Sequence, residues 1–186
     1  ILVGPGTYSG GLDTKGKWLA IRSTDGADNT IIQGDGNALG MNIQPISSIE
    51  DVIVIEGLQF TNHRQAISSE GASTKVLIRN CLFYRNQSDS GSVNGSAINS
   101  QSKMTIEACR FIENGCLSGG HGGAINGNSA GYPIVNNSVF VMNSVRGDGG
   151  ALQRSGPVTN CTFIGNEAGG YGSDMNITGP VKNSIF

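Results

Sequence analysis

His121, Asp148 and Tyr171 stand 27 and 23 residues apart and share one local setting. His121 lies three residues before Ala124 and Asp148 three before Ala151, while Tyr171 has the same offset from Asp174 in a weaker copy of the phrase. If the chain returns on itself once per interval, the histidine lies beside a carboxylate, with a phenol one step further. That is a general-base arrangement, in which the carboxylate orients the imidazole that takes a proton. A second set, Asn99, Asn126, Gln153 and Asn176, follows the same small residue by two positions. If the aliphatic residue between faces inward, these amides lie outside on a flat sheet and can meet sugar hydroxyls. Each set also has a plainer reading: turn residues filled by whatever is polar, and a solvated sheet surface. By offset from the small residue, His63 and Asn94 would join the column of His121.

Other reactive types are placed less suggestively. Asn86, Asn114, Asn143 and Asn166 each close a Phe-x-x-Asn phrase, and Asn86, Asn94, Asn136, Asn160 and Asn176 open glycosylation sequons. A stacked amide ladder explains asparagine at one place in every unit without any glycan, because side-chain amides can hydrogen-bond from coil to coil. Cys81, Cys109 and Cys161 sit two residues before a phenylalanine and are expected to be buried, aligned and unlinked. Cys116 lies apart, in an insertion, as a free thiol or an intermolecular link. No cysteine and histidine spacing suggests zinc, and no metal or cofactor is expected. The carboxylates, among them Asp35, Asp51, Asp89, Glu113, Asp148, Glu167 and Asp174, are scattered over different registers.

What must position these residues is a repeat. Phe60, Phe83, Phe111, Phe140, Phe163 and Phe186 are separated by 23, 28, 29, 23 and 23 residues, and a period of this size means stacked units. Each unit carries an alternating apolar run, such as Val52 and Val54 or Val76 and Ile78, that leads to its phenylalanine. It also carries a short run of small residues closed by an aliphatic, as in Gly123-Ala124-Ile125. The gap from Leu152 to Val158 is six residues, too tight for a crossover helix. With 29 glycines and few helix formers, such a unit winds as a coil, each strand pairing in parallel with its copy about 4.8 Å along. The spacing predicts an all-β parallel β-helix, a solenoid of about seven coils with essentially no helix. Aligning Gly34, Gly57 and Asn80 at steps of 23 extends the repeat towards the start. Insertions at 87–95 and 115–120 would emerge at one corner. Residues 1–186 read as a single β-helix domain, expected to be a piece of a longer array because both ends lie in mid-repeat.

Net charge −2 with 12 dispersed Lys and Arg gives no basic patch, so nucleic acid is not expected as a partner. No apolar run approaches the roughly 20 residues of a spanning helix, so this segment is not expected to insert in a membrane.

The opening Ile-Leu-Val-Gly-Pro-Gly-Thr-Tyr, with Trp18-Leu19-Ala20-Ile21 and Thr30-Ile31-Ile32-Gln33-Gly34, resembles the first coils of the pectate-lyase-like right-handed β-helix superfamily. Gly-Gly-Ala-Ile at 122–125, Gly-Gly-Ala-Leu at 149–152 and the Phe-x-x-Asn phrases are similar to the paired motifs of polymorphic outer-membrane proteins and large bacterial β-helix surface proteins. The resemblance covers nearly the whole chain and implies a right-handed coil and a secreted or outer-membrane-associated location. It says little about function, since the superfamily holds lyases, hydrolases, esterases and non-enzymatic adhesins. Lyases of this kind need clustered carboxylates for calcium, which this chain lacks. Asn62-His63-Arg64-Gln65-Ala66-Ile67 resembles one pectin methylesterase motif, without the aspartate-bearing motifs that should follow it. The expected function is a rigid scaffold or adhesin at a cell surface, joined to neighbouring domains and meeting polysaccharide or host glycan. The alternative is a polysaccharide lyase or glycoside hydrolase.

Overall fold

The computed structural model describes residues 1–46, 50–89, 93–128, 132–177 and 179–186. Residues 90–92 of the first insertion and Thr178 of the last sequon lie outside the described residues. Every strand pairing among the described residues is parallel, and no helix occurs among them. The strands form sheets of eight, seven and seven strands and a short four-stranded ladder at one corner. The chain is a parallel β-helix. Seven strands joined by six pairings amount to about six windings, against the expected seven coils.

Each coil passes through the faces in a fixed order. Val52–Glu56 and Lys75–Arg79 belong to the first sheet, Gln59–Thr61 and Leu82–Tyr84 to the second, Gln65–Ser69 and Ile98–Ser100 to the third. The corner ladder runs through Gln87–Ser88, Gly115–Cys116, Ser144–Val145 and Glu167–Ala168, between the second and third sheets. Both insertions begin there, so one corner does carry them.

Register comes from side chains that stack on their own kind. Phe60, Phe83, Phe111, Phe140 and Phe163 are buried and directly paired coil to coil. Their rings are parallel, with centroids 4.8 Å apart between Phe83 and Phe111 and 4.7 Å between Phe111 and Phe140. Ile55, Ile78, Ile106, Val135 and Val158 line the bore from the first sheet, and Ile67, Ile98, Ile125 and Leu152 from the third. Two details of register differ from the expectation. Ile53 and Ile55, not Val52 and Val54, face inward, because Ile53 and Ile55 pair with Val76 and Ile78. Thr30–Gln33 pairs with Gln59–Thr61, so Ile32 stands over Phe60 and Gly34 does not align with Gly57.

The corner between the first and second sheets uses one left-handed residue per coil. Gly57, Asn80, Ala108, Asn137, Asn160 and Asn183 all have φ between 49° and 68°. Asparagine and glycine tolerate this conformation, whereas an ordinary L-residue pays about 1–2 kcal/mol for it. Ala108 is the exception in the column. Ala108→Asn is therefore expected to raise stability by about 1 kcal/mol, read as a higher denaturant midpoint at unchanged slope. A lower midpoint would mean that the alanine is held there by packing.

Candidate functional site

Inside the corner where the second sheet turns towards the third, the asparagines form the expected ladder. Asn86 Nδ2 donates to Asn114 Oδ1 at 3.0 Å, Asn114 to Asn143 at 3.0 Å and Asn143 to Asn166 at 2.9 Å. The second Nδ2 hydrogen of each goes back one coil, as from Asn114 to Phe83 O at 3.0 Å. Each Oδ1 also accepts a backbone N–H from the coil before, as Asn114 Oδ1 does from Asn86 N at 3.2 Å. All four amides are buried, so the phrase Phe-x-x-Asn builds the coil corner from within.

His63 belongs to this ladder and not to the column of His121. Its backbone N–H donates to Asn86 Oδ1 at 3.1 Å, and its Nε2 lies 3.1 Å from Ile32 O, where the asparagines place Nδ2. The carbonyl can only accept, so Nε2 carries the proton. Offset from the small residue misled because Ala66 follows Phe60 by only 6 residues, against 11 from Phe140 to Ala151 in a coil that also has no insertion. The better signal is Phe60-x-x-His63, a histidine where every later coil has asparagine.

Burial pushes the His63 pKa below its ordinary value of 6.5, and this outweighs the opposing pull of the Ile32 carbonyl and the nearby Asp35 carboxylate. The unfolded chain takes up a proton at this residue near pH 6.5, and the folded chain does so only at lower pH. Its contribution is thus complete above that pH and declines as pH falls through it. We expect a loss of stability between pH 7 and pH 5 that His63→Asn removes. Equal slopes for the two proteins in pH-dependent melts would contradict it.

His121, Asp148 and Tyr171 do share a column, which the structure organises through the backbone. Asn94 Oδ1 accepts from His121 N at 2.8 Å, His121 Nδ1 from Asp148 N at 3.2 Å, and Asp148 Oδ1 from Tyr171 N at 2.8 Å. Each side chain pins the turn of the next coil. His121 Nδ1 and Asp148 Oδ2 are also 3.6 Å apart, beyond hydrogen-bond length, and the amide contact already makes Nδ1 an acceptor. A general-base pair needs the opposite, an Nδ1–H given to the carboxylate. The Tyr171 side chain is 79% exposed.

Asn99, Asn126, Gln153 and Asn176 stand in register on the third sheet. Asn126 Nδ2 donates to Asn99 Oδ1 at 2.9 Å. They are less open than an outer sheet face suggests. Asn126 and Gln153 are each 5% exposed, while Asn99 and Asn176 are partly exposed. Gly122 and Gly149, both at positive φ, bring their turns close enough that an added Cβ would lie 3.0 Å from Asn126 N and Gln153 Cβ respectively.

All four cysteines are buried and unlinked. Cys109 donates its thiol to Glu107 O at 3.2 Å and Cys161 to Thr159 O at 3.3 Å, across the left-handed corner residue. Burial raises the thiols of Cys109 and Cys161, and that of Cys116 to about 12. We expect a thiol reagent at pH 8 to leave the folded chain unmodified and to titrate four thiols in denaturant, with or without reductant. Rapid labelling of the native chain would place one of them in solvent. Among the described residues no three His, Cys, Asp or Glu side chains converge as metal ligands. No family model, curated protein or solved structure matches this chain.

Proposed function

We propose that this chain is a rigid rod segment of a secreted or cell-surface protein and meets glycan along its third sheet. The observation that carries the reading is the register of Asn99, Asn126, Gln153 and Asn176, one amide per coil on a frame that cannot slip. Slippage is opposed by the phenylalanine stack and the buried amide ladder together, since a one-residue shift would break both. A column at about 4.8 Å spacing can follow the hydroxyls of an extended polymer. Asn126 and Gln153 are shielded, so the members that meet a ligand first are Asn99 and Asn176, three coil steps or about 14 Å apart.

A polysaccharide array probed with wild type and with Asn99→Ala plus Asn176→Ala tests this. The double variant should fold, with a midpoint lowered only by the unpaired Asn126 amide, about 1–3 kcal/mol, and lose most of the signal. Equal binding by both proteins would remove the face as the site, and absence of binding would leave only scaffolding. Shortening of the printed polymer by wild type would replace the adhesive reading with the lyase or hydrolase.

A further inference from the structure

The outer face of the first sheet carries three columns of side chains. The middle column is largely apolar, with Val54, Leu77, Thr105 and Ile134 in register. On one side of it Arg22, Glu56, Arg79 and Glu107 follow one another with alternating sign. Arg22 and Arg79 both pair with Glu56 Oε2, at 3.1 Å and 2.9 Å. The column on the other side breaks that pattern. Lys75 and Lys103 are directly opposed, about 4.8 Å apart on the strand spacing, and neither has an ion pair among the described residues. Like charges set opposite one another in a sheet destabilise it, and an anion held between them turns the repulsion into two charge-assisted contacts.

Both lysines line a cleft of about 650 Å³ over this face. Leu77, Thr105 and Ile134 form its floor. Tyr132, two residues before Ile134 and exposed, follows Lys103 in the lysine column. Glu107 lies at the opposite wall. Because Arg79 turns to Glu56, the Glu107 carboxylate has no ion pair among the described residues. Lys103 and Glu107 are the two ends of one strand, four residues or about 13 Å apart.

Read across the cleft, the order is a cation pair, an apolar floor beside a tyrosine, and a lone carboxylate. That order selects a flat monoanion whose far end donates a hydrogen bond. A second anionic group would meet Glu107, and a small hydrophilic anion would leave the floor uncovered. We propose that the first sheet binds an aromatic carboxylate of about two fused rings, the length that spans the cleft. Its carboxylate lies between Lys75 and Lys103, its rings cover Leu77 and Thr105 beside Tyr132, and a hydroxyl at its far end donates to Glu107. The site is on a different sheet from the amides of Asn99 and Asn176 and holds whether or not they bind a polymer.

Four probes would be titrated into the protein by calorimetry: 6-hydroxy-2-naphthoate, 2-naphthoate, neutral 2-naphthol and acetate. The hydroxynaphthoate should bind saturably at one site and more tightly than the naphthoate, with naphthol and acetate far weaker than either. Lys103→Glu brings alternating sign to the lysine column, so its denaturant midpoint should not fall, while hydroxynaphthoate affinity drops by about tenfold or more. Glu107→Ala should bind naphthoate at least as well as wild type does and lose the preference for the hydroxylated form. Lys182→Glu, on the same sheet but outside the cleft, should change neither affinity. No saturable binding, affinity for acetate or naphthol equal to that for the naphthoates, or undiminished affinity in Lys103→Glu would each overturn the site.

Discussion

Asn114→Leu is expected to destabilise the fold by about 3–5 kcal/mol, although it replaces a polar residue by an apolar one of similar size in a buried place. The reason lies in what is left behind. Asn114 Oδ1 accepts from Asn86 N and Asn86 Nδ2, and its own Nδ2 donates to Phe83 O and Asn143 Oδ1. Leucine orphans two buried donors on Asn86 at once, each costing about 1–3 kcal/mol, and weakens two acceptors besides. Apolar burial by the new side chain returns part of this, but the unpaired groups cannot reach water. Asn99→Ala is the matched control, because Asn99 is partly exposed and gives up one amide contact. Urea melts of the two variants should separate widely, and hydrogen exchange at the Asn86 amide should accelerate in the first. A cost below about 1 kcal/mol for Asn114→Leu would show that water enters the corner and satisfies it.

Much of this architecture could be read from spacing because a coil reuses one side-chain type at one place. The phenylalanine intervals found the stack, and Phe-x-x-Asn found the ladder, since both motifs bond mainly to copies of themselves. Where a column changes residue type, spacing failed. Val52, Ile53, Val54 and Ile55 are all β-branched and apolar, so alternation within the strand could not choose its inner face. Pairing with Val76 and Ile78 chose it. His63 was misplaced because its offset was counted from Ala66, across the corner where insertions enter, and not from Phe60, across a rigid three-residue turn. Shielding of Asn126 and Gln153 was invisible for another reason. It is a tertiary fact with no local pattern, since Asn126 and Gln153 share the register of Asn99 and Asn176 and differ from them only in exposure.

Phe111→Ala should cost about 3–5 kcal/mol, the usual range for a fully buried aromatic, and its effect should be confined in space. Phe111 stacks on Phe83 at 4.8 Å and Phe140 at 4.7 Å, so the substitution opens a gap between two rings that have no other aromatic neighbour on that side. Stacked pairs are worth about 0.5–1.5 kcal/mol each beyond burial, which places the loss towards the upper end. Phe186 gives the contrast. It stacks on Phe163 at 5.3 Å but is 64% exposed, so Phe186→Ala should cost far less. In a solenoid each coil touches mainly its neighbours, here with the exposed Arg110–Asp28 ion pair as an exception, so a weakened central coil divides the chain into two arms that can melt at different denaturant concentrations. A shallower or biphasic transition is therefore expected for Phe111→Ala, with the lower slope reporting less surface exposed per cooperative step. A single sharp transition at a lower midpoint would mean instead that coupling between coils exceeds the stability of either arm. The phenylalanine stack would then contribute stability to the rod without setting the boundaries of its cooperative units.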